Sequence, residues 1–243
     1  MPISPSQGST GGGTPVTITG TNLAGATAVR FGGKSATITG NTPTSVSALS
    51  PAGAGAVDTS VITPGGTSEP VQFFYVQPPV VLSVSPASGA VAGGDTITIT
   101  GRNLATANSV EFGGTPVVPT VVSDTEITVV TPATAEDEVA LVVHTRGGIF
   151  DDLAFAFVDP PTMTAFTPVT GTTAGGTLVN ITGTNLATAT DVTFGGVSAT
   201  SFAALSDTQV AAITPPHGLG AVAVAITTTG GSDAAPLTYL YVL

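Results

Sequence analysis

Three stretches of this chain repeat one another. GGGTPVTITGTNLAGATAVRFGG begins at Gly11, AGGDTITITGRNLATANSVEFGG at Ala92 and AGGTLVNITGTNLATATDVTFGG at Ala174. Pro5, Pro86 and Pro168 stand ahead of them, and Asn22-Leu23, Asn103-Leu104 and Asn185-Leu186 lie within them. Phe31, Phe112 and Phe194 come next, at the same offsets of 81 and then 82 residues. Later landmarks also recur: Pro51, Pro132 and Pro215, then Gly65-Gly66, Gly147-Gly148 and Gly230-Gly231. Solenoid repeats are about 20–45 residues long, so a period this long predicts domains, each with its own small core. The double prolines Pro78-Pro79 and Pro160-Pro161 mark the joins and divide the chain into 1–79, 80–161 and 162–243. Proline holds the preceding backbone extended, so the joins are short and stiff.

Inside each unit the apolar period is two. Val16 and Ile18 alternate with Thr17 and Thr19, as Ile97 and Ile99 alternate with Thr96 and Thr98. Val29-Phe31, Ile127-Val129, Val139-Leu141-Val143 and Val222-Val224-Ile226 continue the pattern, which belongs to half-buried strands. Thr and Val are β-branched and suit a pleated surface. No twelve-residue window keeps a helical stripe; Thr131–Asp137 reads as a loop or a single turn. About seven short strands per unit, punctuated by Gly pairs, predict an all-β chain of tandem β-sandwiches. In Thr19-Gly20-Thr21-Asn22-Leu23 the glycine is expected at positive φ, with the Asn carboxamide bonded to its own backbone two residues on. Leu23, Leu104 and Leu186 are expected to plug the sandwich ends. Phe73-Phe74-Tyr75, Phe155-Ala156-Phe157 and Tyr239-Leu240-Tyr241 form the closing core strands.

Charge excludes several functions. Only Arg30, Lys34, Arg102 and Arg146 are basic, against fifteen acids, for a formal charge of −11. Nucleic-acid binding displaces counterions with several Lys and Arg at once, and four scattered bases do not supply that. Anionic membranes are disfavoured for the same reason. Ten of the acids fall in 80–161, where they chiefly keep the surface soluble. There is no cysteine, hence no disulfide, thiolate nucleophile or cysteine-held metal. Met1-Pro2-Ile3-Ser4-Pro5 does not have the build of a secretory signal, and no apolar run is long enough for a membrane helix, so membrane insertion is not expected.

The order of prolines, Gly pairs, VTITGTNL-type strands, Phe-Gly-Gly turns and closing aromatics resembles the IPT/TIG family of immunoglobulin-like domains, in three tandem copies over essentially the whole chain. The resemblance implies early-set immunoglobulin-like sandwiches and a module that spaces, displays or binds, not an enzyme. It implies a structural or adhesive array on a cell surface. The alternatives are a virion or tail-associated decoration protein and a carbohydrate-binding module. Its implied partners are an unidentified protein, a second copy of the chain or a glycan, in an extracellular, cell-surface or virion setting.

Candidate chemistry is sparse. Glu136-Asp137-Glu138 and Asp151-Asp152 are the only dense acids and could offer hard oxygens to Ca²⁺. Neither set recurs across the units and no twelve-residue calcium loop is present, so a solvated acidic face is expected and no metal. His144 and His217 are the only imidazoles, and a zinc site wants at least three converging ligands. No Gly-x-Ser-x-Gly elbow supports nucleophilic chemistry, and the Gly pairs lack the strand–turn–helix context of a phosphate cradle. Catalytic, cofactor and metal residues are therefore expected to be none, with no cofactor. Tyr75, Tyr239 and Tyr241 are expected in the core rather than as a sugar platform. Three sandwiches joined in line would form a rod on the order of 110 Å long.

Overall fold

The computed structural model describes residues 1–135 and 138–243. Every regular element among them is a strand. The chain divides into two compact units: residues 1–84, 98–129 and 141–153, and residues 85–97, 130–140 and 154–243.

The first unit contains a full sandwich. One sheet runs Ile3–Ser4, Pro15–Thr19, Ser45–Leu49, Thr37–Asn41, all antiparallel. The other runs Gln7–Ser9, Val71–Val76, Gly55–Thr63, Ala28–Phe31, Lys34–Ser35, with Gly66–Thr67 folded back on Gly55–Thr63. Gln7–Ser9 lies parallel to Val71–Val76. Alternation puts Val16 and Ile18 inside and Pro15, Thr17 and Thr19 outside. They pack with Val29, Phe31, Val46, Val61 and Phe73. Phe31, Phe73 and Tyr75 meet edge to face at 5.0 and 5.1 Å, the approach their ring quadrupoles favour. Burying each such side chain contributes about 1.5–3 kcal/mol.

The second unit contains the other full sandwich. Thr162–Thr167, Leu178–Thr184, Gln209–Ile213 and Ser201–Ser206 form one sheet. Thr170–Thr172, Gly231–Val242, Gly220–Thr228, Ala189–Phe194 and Val197–Ser198 form the other, again with its opening strand parallel to its closing one. Its core holds Phe166, Ile181, Leu186, Phe194, Ile226, Tyr239 and Tyr241.

The strands of the middle repeat are shared between the units and keep the same order. Val80–Ser85, Thr96–Arg102, Glu126–Val130 and Thr120–Ser123 make one sheet. Ser88–Ala90, Ala154–Val158, Glu138–Thr145, Ala107–Phe112 and Thr115–Val117 make the other, with Gly148–Phe150 on Glu138–Thr145. Each repeat thus has more strands than the seven or so expected. The opening segment serves both sheets in turn, and the Gly-Gly hairpins add short ribbons. The bonds Ser4-Pro5, Ser85-Pro86 and Thr167-Pro168, where that segment changes sheet, are cis.

One hydroxyl closes the same gap three times. Ser50, Thr131 and Thr214 accept from the backbone N–H of Thr14, Asp95 and Thr177 at 3.2, 3.1 and 3.1 Å. Beside them Gly12, Gly93 and Gly175 sit at positive φ against the backbone at Pro51, Pro132 and Pro215, where no side chain fits. Those recurring glycine and proline landmarks are a single contact.

The turn after the first core strand departs from expectation. Asn22, Asn103 and Asn185 take the left-handed conformation, at φ 57°, 60° and 58°, and Gly20 does not. Asparagine visits that region more readily than most residues because its short polar side chain can hydrogen-bond to nearby backbone. The glycine before it is small for a different reason: a Cβ on Gly101 or Gly183 would strike the carbonyl of Val80 or Thr162 on the neighbouring strand. Leu23, Leu104 and Leu186 are buried, as end plugs should be.

Candidate functional site at the repeat heads

The residues with chemical potential do not converge. Glu136 and Asp137, including the end of the Thr131–Asp137 segment, lie outside the described residues. Glu138, Asp151 and Asp152 are exposed, and no cluster of three or more His, Asp or Glu able to hold a metal occurs among the described residues. His144 Nε2 lies 3.0 Å from Glu111 Oε1, each side chain about one-third exposed. That Nε2 makes no hydrogen bond, so the contact is a charge contact when the ring is protonated. His217 stacks on Tyr241 with ring centroids 5.0 Å apart. Tyr75, Tyr239 and Tyr241 are all buried. The Tyr75 and Tyr241 hydroxyls donate to the carbonyls of Pro51 and Pro215 at 2.7 and 2.9 Å. Burial raises the pKa of both phenols.

Several other acids work as turn ties. Asp95 Oδ2 accepts from Ala90 N at 2.6 Å. Asp124 and Asp207 accept from the amides of Asn103 and Asn185 at 3.4 and 3.3 Å, bracing the left-handed asparagines. In the first repeat Pro43 fills that place, and Asn41 reaches across instead, donating to Leu23 O at 2.7 Å and accepting from Gly25 N at 2.8 Å.

What the asparagines hold is the join. Asn103 Nδ2 donates to Pro78 O at 2.9 Å, and Asn185 Nδ2 donates to Pro160 O at 3.0 Å. The Gly-Gly hairpins close the other side. A Cβ on Gly147 would run into the Gln77 carbonyl, and one on Gly230 into the Asp159 carbonyl. Gly148 and Gly231 face the rings of Pro78 and Pro160, with 3.5 and 3.8 Å from a would-be Cβ to the proline Cβ. In the third repeat Asp233 Oδ2 also accepts from Met163 N at 2.6 Å. The head of a repeat is therefore a seat for the linker arriving from the repeat before. The sequence showed every component, Asn, Gly-Gly and Pro-Pro at fixed offsets, but each read locally as a turn or a stiffener.

The first repeat carries the same parts in an open arrangement. Asn22, Gly65 and Gly66 are exposed, whereas Gly147 and Gly230 are buried. Around them lies a cleft of about 660 Å³, lined among others by Met1, Asn22, Leu23, Pro64, Gly65 and Glu69. A second cleft, of about 530 Å³, lies between Gln7 and the Ala105–Asn108 turn beside Arg146.

Three consecutive stretches, residues 1–75, 79–157 and 161–241, match the IPT/TIG domain family. The chain belongs to that family. A mouse protein, fibrocystin-L, is 36% identical over 114 residues, covering 46% of this IPT/TIG chain and 3% of its own length. The chain thus spans a small fraction of that relative. The solved extracellular region of plexin A4 superposes with a TM-score of 0.50 at 22% identity, covering 90% of this chain and 21% of that one. That likeness concerns the fold, and it agrees with three IPT/TIG sandwiches of immunoglobulin-like build.

Proposed function

We propose that this IPT/TIG chain is a non-catalytic, tension-bearing spacer with an adhesive role toward protein partners at a cell surface. The observation that carries the reading is the parallel pairing of opening and closing strands in all three repeats. Gln7–Ser9 pairs with Val71–Val76, Ser88–Ala90 with Ala154–Val158, and Thr170–Thr172 with Gly231–Val242. Pulling a repeat from its two ends draws parallel neighbours in opposite directions along their length. Their hydrogen bonds, such as Thr10 N to Val76 O at 3.0 Å and Leu240 N to Val169 O at 2.9 Å, are then loaded together in shear. An antiparallel pair pulled from one end would instead unzip one bond at a time.

The cell-surface part borrows the extracellular setting of the plexin region. For the protein partner, the middle repeat offers an edge strand, Thr120–Ser123, with Val118, Val121 and Val122 exposed about it. Unpaired strand edges accept other chains, and apolar side chains beside them strengthen the contact. A glycan platform would need several exposed rings together; the three tyrosines are buried, and Phe74 is exposed alone among the closing-strand rings Phe73, Phe74, Tyr75, Tyr239 and Tyr241.

Stretching single molecules held at both termini tests the load-bearing role. The expected trace has three unfolding events, each adding roughly 220–250 Å, the extended reach of about 80 residues less the span of one folded repeat. Extension at low force without discrete events would overturn it. For the adhesive role, chain-coated beads should be retained on cells and released when surface proteins are digested. Retention unchanged by digestion, or binding on a glycan array, would refute a protein partner.

A further inference from the structure

We infer that the head of the first repeat is a docking seat for an extended Pro-Pro strand, of the kind that links one IPT/TIG repeat to the next. The same seat occurs at the heads of the second and third repeats, and there its occupant is visible: Gln77-Pro78-Pro79 in one and Asp159-Pro160-Pro161 in the other. In both, the left-handed asparagine donates to the first proline's carbonyl, at 2.9 and 3.0 Å. In both, the first glycine of the hairpin lies against the carbonyl before that proline, and the second glycine against its ring. Two different linker sequences are held in the same way, so the seat reads backbone carbonyls and a proline ring rather than the neighbouring side chains.

The first repeat has every part of this receptor. Asn22 is left-handed like its counterparts, and Gly66 has the positive φ of Gly148 and Gly231. Its surroundings differ as an accessible seat should. Among the described residues, no carbonyl takes the place of Pro78 O on the Asn22 carboxamide. A Cβ on Gly65 would find only Thr63 Oγ1, at 3.6 Å, and one on Gly66 would find nothing within 4 Å. Gly65-Gly66 and Asn22 open instead on the 660 Å³ cleft.

A strand edge continues the seat. Thr162–Thr167 pairs with Leu178–Thr184 out to Met163 on Gly183 and Thr162 on Thr184. In the first repeat the corresponding strand is Ile3–Ser4, paired with Ile18 and Thr17 and continued by Thr19 N donating to Pro2 O at 3.0 Å, one residue short of Gly20. Gly20 and Thr21 stand where Gly183 and Thr184 stand. The incoming strand therefore places a polar residue's carbonyl at Gly65, a proline at Gly66 and Asn22, and two apolar residues along Gly20-Thr21, displacing the Met1 side chain that lies over Gly20. The occupant is the closing linker of another IPT/TIG repeat. This inference is independent of the load-bearing reading, since it rests on a comparison of the three heads.

The test uses the full chain with ¹⁵N labelling. One arm adds a capped peptide with the sequence of residues 77–82, Gln-Pro-Pro-Val-Val-Leu. The other places Gln-Pro-Pro-Val-Val directly before Met1, which brings it into register and raises its effective concentration to the millimolar range or above. The amides of Gly65, Gly66 and Thr21 and the Asn22 carboxamide should shift in the extended chain, while those of Gly147 and Gly148 stay in place. The melting transition of the first repeat should rise by about 3 °C or more, because the segment binds only the folded repeat. Asn22→Gly keeps the left-handed backbone and removes the donor, and it should reduce that rise by at least half. Peptide shifts at the same amides support the seat directly, and a response in the extended chain alone supports it through tethering. Unchanged Gly65 and Gly66 amides in the extended chain, or peptide shifts confined to other surfaces, would overturn it. The force experiment is untouched by either result.

Discussion

Tyr239 lays its hydroxyl against Gly171, and among the described residues nothing accepts or donates a hydrogen bond to it. The ring itself is fully buried and meets Phe194 and Tyr241 edge to face. Phe73 occupies the same place in the first repeat, over Gly8. A buried hydroxyl without a partner carries its desolvation penalty uncompensated. Tyr239→Phe is therefore expected to stabilise the third repeat by about 1 kcal/mol, read as a higher denaturant midpoint at unchanged slope. A loss of stability would show that the hydroxyl does find a partner.

The glycines of the linker seats give a contrast that folding propensity alone would not. Gly147→Ala and Gly230→Ala push a methyl group into the carbonyls of Gln77 and Asp159, and each should cost about 1–3 kcal/mol. Gly65→Ala meets no such carbonyl and should change stability by less than about 0.5 kcal/mol. Three matched denaturation curves decide the point. Equal costs at all three positions would mean that the linker contact is not what keeps these residues small.

Alkaline pH should weaken the fold through Tyr75 and Tyr241. Burial raises the pKa of both above the ordinary value of 10.0; Tyr239 raises Tyr241 further, and a hydrogen bond with Thr214 partly opposes it. The folded state thus holds its phenol protons more tightly than the unfolded chain. That contribution is intact below pH 10 and is lost as pH rises through the raised folded values. Unfolding midpoints measured from about pH 8 to 11.5 should fall beyond pH 10, and Tyr75→Phe with Tyr241→Phe should flatten the fall.

Thermal unfolding should be the same in excess EDTA and in millimolar Ca²⁺, within about a degree or two, because an ion that binds only the folded state must raise the midpoint. A calcium-dependent rise of about 5 °C would contradict this and turn attention to Glu138, Asp151 and Asp152.

The repeat, the strand class and the core were legible in the chain because they are local or periodic. Val16 and Ile18 face inward because side chains alternate along a strand, and that needs no knowledge of the partner strand. Tyr75 and Tyr241 were legible as core residues by their place in apolar closing strands. The turn at Asn22 was only half legible. Its sharp bend follows from Gly and Asn, but which of the two takes positive φ depends on what lies beside it, and the Val80 and Thr162 carbonyls beside Gly101 and Gly183 come from other strands.

The sequence by itself determined that there are three sandwiches, that Pro-Pro pairs join them, and that Asn and Gly-Gly recur in each. Only the tertiary structure decided that these three features are one device. Asn103 lies 25 residues from Pro78, and Gly147 lies 70 residues from Gln77, so no local pattern connects them. They meet because the sheets bring a turn and a hairpin to the same end of the repeat, where the linker's carbonyls need a donor and its backbone needs room. Spacing in the chain records neither of those needs.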